Sequence, residues 1–411
     1  MLDRVTIERM VAWTGDKPVL LALSGGGDSV ALLHLLTAEL GAPRLRAVVV
    51  DHALRDGSRD DAKRAAGFAS ALGVRADILT LRWEESANRA QQAAREERYK
   101  AICEHARAAG LNTLVVAHTA DDQAETVLMR AANGSTWRGL AGIAPFAFAP
   151  VWPEGRGIAL ARPMLSARRE ALRVYLREQR AEWIEDPANT NPKFERVRVR
   201  ARLAELEAGG FDPMRLVRIA ARLRRRSDAL DAAALSLISR AVEVGVSTTI
   251  LRDAWDAPCD VRARVLSALM AAAAGSSREP SWTDMPRLEA TIMAWPHGGA
   301  THSGVDFSST QTGVTLLRDL GASIGRADGA PPLSPLRLGE GVEAVWDGRL
   351  AVTALEPGWR VVPARNKYRF AFENGSVRRS YEQMQGRFRL RALAAERIAH
   401  AFAPDINRAK P

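Results

Sequence analysis

The chain has 411 residues, of which 47% are hydrophobic and 26% are charged, a composition typical of globular proteins and not of disordered ones. Its 58 Lys and Arg exceed its 48 Asp and Glu, and the net charge of +10 suits a polyanionic partner or an arginine-rich solvated surface. Two distant cysteines, Cys103 and Cys259, argue against zinc knuckles and cysteine-held iron–sulfur clusters and favour a reducing compartment. The sequence shows no signal peptide and no apolar run of about 18 residues, so we expect a cytoplasmic protein with no membrane span.

Short apolar runs alternate with helical patterns through the first part of the chain. Strands are predicted at residues 18–23, 45–52, 75–81 and 112–118. Helices are predicted at residues 29–38, 60–72, 91–108, 122–131 and 168–180, with an irregular segment at 133–162. Strands that are apolar throughout and alternate with helices predict an α/β fold with a doubly wound parallel sheet. Ligands of such sheets bind beyond the carboxyl ends of the strands, which is where the polar motifs fall.

The composition changes after Phe211, where Ala, Leu and Arg dominate up to about Ala274. A Gly/Ser/Pro-rich break follows, and the remaining chain contains several short strand-like runs. We therefore predict three domains: an α/β domain at 1–205, a helical middle domain at 206–310 and a small C-terminal domain with β content at 311–411. The tryptophans of the C-terminal half are interpreted as core residues.

A glycine-rich turn, SGGGDS, joins the first predicted strand to the first predicted helix. A tight turn alone needs fewer glycines, a dinucleotide fingerprint needs GxGxxG, and a Walker A loop needs a lysine that is absent. The pattern favours a nest of backbone N–H groups that binds phosphate at a helix N-terminus, with two serine hydroxyls as further donors. An aspartate there would repel phosphate, so it predicts Mg²⁺. The residues expected to bind the nucleotide here are Ser24, Gly25, Gly26, Gly27, Asp28 and Ser29.

A second cluster lies at the end of the fourth predicted strand, in VVAHTADDQAET. Asp121, Asp122 and Glu125 fall within the first turns of the following helix, and His118 precedes them. Acidic residues favour helix N-termini, and one of them would be enough to cap the helix. Three carboxylates and a histidine at the mouth of a phosphate site fit metal binding or an ammonium pocket better.

Several motifs together resemble those of the tRNA(Ile)-lysidine synthases, a family of the N-type ATP pyrophosphatase (PP-loop) superfamily. SGGGDS resembles the superfamily's SGGxDS loop, and AHTADDQAET resembles the family's HHxDDQxET segment. Further segments are similar to family motifs in the same order, so that the matches span roughly residues 17–203. These segments are QQAAREERY, GLAGI, RPML and WIEDPANTNPKFERVRVR. Thr119 stands where the family usually has a second histidine, and Val197 stands where it usually has an asparagine.

The resemblance implies a reaction, its substrates and their site residues. Cytosine O2 of the wobble cytidine in CAU-anticodon tRNA(Ile) attacks the α-phosphate of ATP, pyrophosphate leaves, and free L-lysine then displaces AMP at C2. ATP with Mg²⁺ would bind the glycine loop, and Asp51 and His52 lie where this fold holds adenosine, although they also suit a strand cap. The catalytic set implied by the resemblance is Asp28, Asp121, Asp122, Glu125, His118 and Arg95, with Asp28 and Asp122 as Mg²⁺ ligands.

Other basic residues allow two interpretations. Arg95 and Arg98 could form a solvated stripe, whereas the resemblance makes Arg95 a candidate for substrate phosphate or the lysine carboxylate. Two further groups could contact tRNA or be ordinary surface: Arg196, Arg198 and Arg200, which alternate on one face if extended, and Arg224, Arg225 and Arg226. Asp186 and Asn189 suit an Asx turn.

Two alternatives to the lysidine reaction stay open. One is another PP-loop ATP-dependent enzyme, such as a tRNA thiolase or a synthetase module, which the absence of a cysteine pair makes less favoured. The other is a non-catalytic RNA-binding protein of the same fold. Loss of the phosphate-binding motif would support this alternative, but SGGGDS is intact.

Overall fold

The structure is a computed structural model. The parts of the chain that it describes are residues 1–53, 57–82, 91–185, 193, 195–280, 284–294, 299–326, 331–366, 369–384 and 386–404. Contacts divide the chain into two compact units, Met1–Asp228 with Ala403–Pro411, and Ala229–Phe402.

The first unit contains a six-stranded sheet in the order β3-β2-β1-β4-β6-β5. Its strands are β1 Val19–Ala22, β2 Leu45–Asp51, β3 Arg75–Thr80, β4 Thr113–Val115, β5 Phe146–Phe148 and β6 Ala159–Ala161. All neighbouring pairs are parallel except β5 with β6. Its helices are α1 Arg4–Thr14, α2 Gly27–Leu40, α3 Ser58–Ala71, α4 Gln91–Ala108, α5 Ala120–Ala132, α6 Arg169–Glu178 and α7 Glu195–Ala208. Helix α8, Met214–Ala241, begins in this unit and ends in the second.

Helices cover both faces of this sheet, so the doubly wound α/β prediction is confirmed. Leu21 of β1 packs in one apolar core with residues of α1, α2, α3 and α6. Leu20, its neighbour, belongs to the core on the other face, with residues of α4. Successive side chains of a strand point to opposite faces, and both faces of β1 must therefore be apolar.

The strand order places the two polar motifs side by side. The chain passes from β1 outward to β2 and β3, and then returns to β4 on the other side of β1. Beyond the carboxyl ends of β1 and β4 lies the crevice where open α/β sheets bind ligands. The SGGGDS loop follows β1, and the acidic start of α5 follows β4.

The prediction of an irregular segment at 133–162 was wrong in part, because β5 and β6 lie within it. Each has only three residues, which is too short for a reliable alternation pattern. They extend the sheet beyond β4, where Ala159 pairs with Thr113.

The second unit contains antiparallel sheets together with helices. Its strands are β7 Val242–Val244, β8 Thr248–Leu251, β9 Gly299–His302, β10 Val305–Ser309, β11 Gly313–Arg318, β12 Leu336–Arg337, β13 Glu343–Trp346, β14 Leu350–Ala354, β15 Arg360–Pro363, β16 Phe370–Asn374, β17 Val377–Arg379 and β18 Phe388–Ala392. They form sheets ordered β7-β8-β11-β10-β9, β12-β15-β16-β17 and β13-β14-β18. Its helices are α9 Cys259–Ala274, α10 Met285–Ala294, α11 Leu320–Ile324 and α12 Ala394–His400.

An aromatic core supports the last two sheets, as predicted for the C-terminal tryptophans. Trp346 and Trp359 are buried in it. Phe372 and Phe388 stack with their ring centroids 4.0 Å apart and their planes 11° from parallel. Stacked aromatic pairs add packing energy beyond their buried area.

The predicted domain division differs from these units. The segment 206–310 is not purely helical, because β7 to β10 lie in it, and their sheet continues through β11 across the predicted boundary at 310/311. The strands were missed because the surrounding Ala/Leu/Arg helices dominate the composition. The division into 1–205, 206–310 and 311–411 stays a prediction. Within the described part of the chain, no helix is both long and apolar enough to cross a bilayer.

Candidate active site

The glycine loop is shaped by one residue in the left-handed region. Gly25 has φ +82°, and a Cβ added there would lie 2.8 Å from Ile184 Cδ1 and 3.0 Å from Ala65 Cβ. Only glycine fits both the backbone angle and the space. The Ser29 hydroxyl donates to Gly26 O at 2.8 Å and lies 3.1 Å from Ser24 Oγ, so the two serines fix the loop from within.

Helix α2 begins at Gly27, directly after the loop, and Asp28 lies in its first turn. The first N–H groups of a helix have no carbonyl partner within it, and they carry the positive end of the helix dipole. The loop therefore has the donor arrangement of an anion site, as the sequence predicted.

A segment far along the chain packs against this loop. Ile184 N donates to Gly25 O at 2.9 Å, and a Cβ on Gly27 would lie 3.5 Å from Trp183 Cδ1. The Trp183 indole N–H donates to Glu185 Oε1 at 2.7 Å. Sequence reasoning noted this segment only as a motif and did not place it on the loop. Asp186 and Asn189, which follow it, lie outside the described residues.

Arg169 joins three of the predicted acidic residues into one cluster. Its Nε lies 3.1 Å from Asp28 Oδ2, its Nη2 3.2 Å from Asp122 Oδ1, and its Nη1 3.4 Å from Glu125 Oε1. The guanidinium presents five N–H donors in a rigid fork, which is why one arginine can engage all three carboxylates. Sequence reasoning did not select Arg169, although two consecutive arginines at a helix start, shortly after RPML, were a signal.

Asp121 and Asp122 also stabilise local structure. Asp122 forms a capping box with Thr119, since each side chain accepts from the other residue's backbone N–H. Asp121 accepts from Arg169 N at 2.7 Å and from Arg168 Nε at 3.2 Å. Thr119, which replaces the expected second histidine, thus acts as the cap of α5.

Glu125 also forms ion pairs with two arginines of α7. Its side chain is 1% exposed, Arg200 Nε lies 2.8 Å from Oε1, and Arg196 Nε lies 3.8 Å from Oε2. Residues 196–200 are helical in α7, so the shared face that an extended segment would give all three arginines is not formed. Residues four apart share a helix face, so Arg196 and Arg200 both point to Glu125, whereas Arg198 donates to Lys193 O.

The cluster shifts the pKa values of its carboxyl groups in opposite directions. Burial raises the pKa of Asp28, and the Arg169 charge offsets this only in part. Burial acts in the same direction on Asp122, but the positive charge of Arg169 and the Thr119 backbone N–H hold its pKa below the usual value. Burial alone would lower the pKa of Arg169, and the charges of Asp122, Asp28 and Glu125 raise it above its usual value.

His118 lies near several arginines, of which Arg162 is buried. Burial, followed by the charge of Arg162, lowers the pKa of His118 to about 3, so its imidazole is neutral at pH 7. Arg162 donates to Ala144 O at 2.7 Å, and burial lowers its pKa to about 10. The guanidinium carbons of Arg95 and Arg98 lie 5.2 and 5.5 Å from the centroid of the Tyr99 ring. These cationic groups make an environment that favours an anion.

Asp51 is the last residue of β2 and His52 follows it, so both lie at the end of this strand, as predicted. Asp51 is buried, and its Oδ1 accepts from Ala53 N at 2.9 Å and from Ser58 Oγ at 2.7 Å. These bonds support the strand-cap interpretation of Asp51. A role of either residue toward adenosine stays a prediction.

The same geometry bears on Asp28 and Asp122 as the predicted Mg²⁺ ligands. Asp28 and Asp122 both contact Arg169, so the guanidinium occupies the place where a shared cation would bind. Within the described ranges, no group of three or more His, Cys, Asp or Glu is arranged to hold a metal ion. The arrangement does not fit Mg²⁺ held by Asp28 and Asp122 together.

Comparisons with known proteins agree with the class that the fold and loop define, the PP-loop proteins. The PP-loop domain family matches residues 3–207. A tRNA(Ile)-lysidine synthase of Hyphomonas neptunium is 39% identical over 310 residues, 74% of this chain and 83% of that protein. Its counterparts in Rhizobium meliloti and Caulobacter vibrioides are 34% and 32% identical over 82% and 89% of this chain, and over 74% and 81% of their own lengths. The chain belongs to the tRNA(Ile)-lysidine synthase family.

Proposed function

We propose that this chain ligates free L-lysine to C2 of the wobble cytidine in CAU-anticodon tRNA(Ile), with ATP converted to AMP and pyrophosphate. The observation that carries the proposal is the meeting of the glycine loop with the acidic cluster: Asp28, in the first turn of α2, shares Arg169 with Asp122 and Glu125 of α5. The family relationship supports the same reaction.

The first step requires an anion site for the triphosphate. Cytosine O2 attacks the α-phosphorus, the bond to the β-phosphate oxygen breaks, and pyrophosphate leaves. The free N–H groups at the start of α2 and the serine hydroxyls Ser24 and Ser29 are placed to bind the leaving group. Arg95, with the buried Arg162 near His118, supplies positive charge for a phosphate or a carboxylate.

The second step requires a cationic amino acid beside the activated base. The lysine amine attacks C2, the C2–O2 bond breaks, and AMP leaves with that oxygen. Asp121, Asp122 and Glu125 are the acidic groups proposed to bind lysine, and Arg169 and Arg200 bring compensating positive charge among them. A nearby positive charge disfavours the ammonium form, so it helps to keep the attacking amine neutral.

Mg²⁺ would supply charge neutralisation on the phosphates when ATP binds. Asp28 alone, through the carboxylate oxygen not engaged by Arg169, is the residue proposed to approach it.

The test measures pyrophosphate release with ATP, Mg²⁺ and lysine, with and without unmodified CAU-anticodon tRNA(Ile), followed by digestion of the tRNA and mass analysis for lysidine. We expect release that depends on this tRNA, lysidine in the product, and loss of both in Asp28→Asn. Asp60→Asn is the matched control, because Asp60 is an exposed acidic residue that pairs with Lys63 three residues away. Release with another acceptor, or tRNA binding without turnover, would contradict the proposal.

A further inference from the structure

A loop between α5 and β5, residues 133–143, is tied down at several points. The Gln123 side chain donates to Ile143 O at 3.0 Å and accepts from Ile143 N at 2.6 Å. Arg130 Nη1 donates to Gly139 O at 2.8 Å and to Gly142 O at 3.0 Å. Arg224 of α8 also donates to Gly142 O, at 3.0 Å. Contacts from two helices therefore hold this loop, which we call the Trp137 loop.

The loop presents an aromatic ring beside a row of arginines. Trp137 is half-buried, and the Arg226 guanidinium carbon lies 4.6 Å from its ring centroid. Arg222, Arg225 and Arg226 are exposed on α8, with Arg222 and Arg226 four residues apart and so on one helix face. Arg138, next to Trp137, donates to Ser227 Oγ at 3.3 Å, which fixes the loop to α8 beside this row.

Side chains of α5 hold the Trp137 loop, and α5 also carries the acidic residues Asp121, Asp122 and Glu125. Gln123, which holds the Trp137 loop, follows Asp122 directly on α5. All these residues belong to the first unit. The Trp137 loop and the acidic residues of α5 are therefore held by one helix of one unit.

We propose that Trp137 and Arg226 form a stacking site for an unpaired nucleobase next to the reactive cytidine, with Arg222 and Arg225 binding the adjoining phosphates. This inference rests on the proposed function, since it takes the single-stranded loop of an RNA as the occupant. Unpaired RNA bases stack on aromatic side chains and on guanidinium planes, and arginines bind the phosphates beside them. The exposed residues of α8 that carry this site, Arg222, Arg225 and Arg226, are all positively charged, which suits an RNA partner.

The experiment measures the dissociation constant of a CAU anticodon stem-loop RNA for the wild type, Trp137→Ala, Trp137→Phe, Arg226→Ala and Arg4→Ala. Arg4 is a control because its side chain is 92% exposed on α1. We expect Trp137→Ala to weaken binding about 5- to 150-fold, the range for loss of one stacked base. Trp137→Phe keeps a ring and should lose only a few-fold, Arg226→Ala should weaken binding, and Arg4→Ala should change it little.

A second series replaces each loop nucleotide of the RNA by an abasic one. A stacking role predicts that one abasic position weakens wild-type binding and adds nothing further in Trp137→Ala or Arg226→Ala, since the partner is already lost. If Trp137→Ala fails to fold, the same abasic series measured on Arg226→Ala tests the stacking site. Unchanged binding by both variants, or equal losses at every abasic position, would overturn the inference. Binding of the stem-loop does not require turnover. Absence of lysidine in the activity assay would refute the proposed function, whereas the binding measurements would still test the stacking site.

Discussion

At the scale of single residues, Arg169 determines whether three carboxylates can stay close together. In Arg169→Ala, the Asp28, Asp122 and Glu125 carboxylates would lose the guanidinium that lies between them, although Glu125 would keep its ion pairs with Arg196 and Arg200. Removing one partner of a buried ion pair costs about 3–5 kcal/mol, and partial exposure of Asp28 reduces this to about 3 kcal/mol at pH 7. The free energy of unfolding, from urea titration, measures the loss.

The pH dependence of that loss has a definite sign. Without Arg169, burial raises the pKa of Asp28 further, and the pKa of Asp122 loses the charge that lowers it most, so the folded variant binds protons more tightly than the folded wild type. Stability lost at pH 7 is regained as the pH falls through the raised pKa values, so the difference from wild type should narrow at pH 5. Arg177→Ala, which removes an exposed arginine from the same helix, should cost less than about 1 kcal/mol at both pH values. A difference that widens on acidification would argue against the cluster.

Gly25 gives a second test at the residue scale. Gly25→Ala must hold φ +82° and place its Cβ against Ile184 and Ala65, so we expect a loss of about 1–3 kcal/mol and a raised KM for ATP. Gly67→Ala is the matched control: an added Cβ there has nothing within 4 Å, and Gly67 lies inside α3. Alanine in a helix interior should stabilise by up to about 1 kcal/mol. Thermal unfolding and ATP titration of both variants distinguish the two effects.

At the scale of elements, the cap of α5 links helix stability to the site. Thr119→Ala removes the hydroxyl that accepts from Asp122 N, and it frees the Asp122 side chain from one of its donors. A lost N-cap costs about 1 kcal/mol. We expect a similar fall in the free energy of unfolding together with a raised KM for lysine, and rescue of both by Thr119→Ser. Unchanged lysine affinity would show that the cap supports only the helix.

The same scale shows what the sequence could predict. Helix α4 occurs at 91–108 as predicted, and β1 to β4 lie within a few residues of their predicted positions, because their runs are long and apolar. The strands β5 to β8 are as short as β1 and β4, but Pro, Gly or polar residues closely flank them, so no apolar run distinguishes them from loops. The acidic cluster was predicted from one segment, whereas Arg169, Trp183 and Ile184 are brought to it from a distant part of the chain. Such tertiary contacts leave no local pattern.

At the scale of the whole molecule, the net charge of +10 predicts how tRNA binding responds to salt. Each phosphate neutralised by Lys or Arg releases counterions, so the affinity falls as a power of salt concentration, regardless of the base sequence. We expect the dissociation constant for CAU-anticodon tRNA(Ile) to rise at least about 10-fold between 50 and 200 mM salt. The same tRNA with a different anticodon should show a similar slope but weaker binding at every salt concentration, because base contacts add to the phosphate term without changing it. Filter binding across a salt series measures both. A flat response would show that the excess positive charge is ordinary surface, and equal affinities for the two tRNAs would show that recognition of the anticodon does not lie in binding.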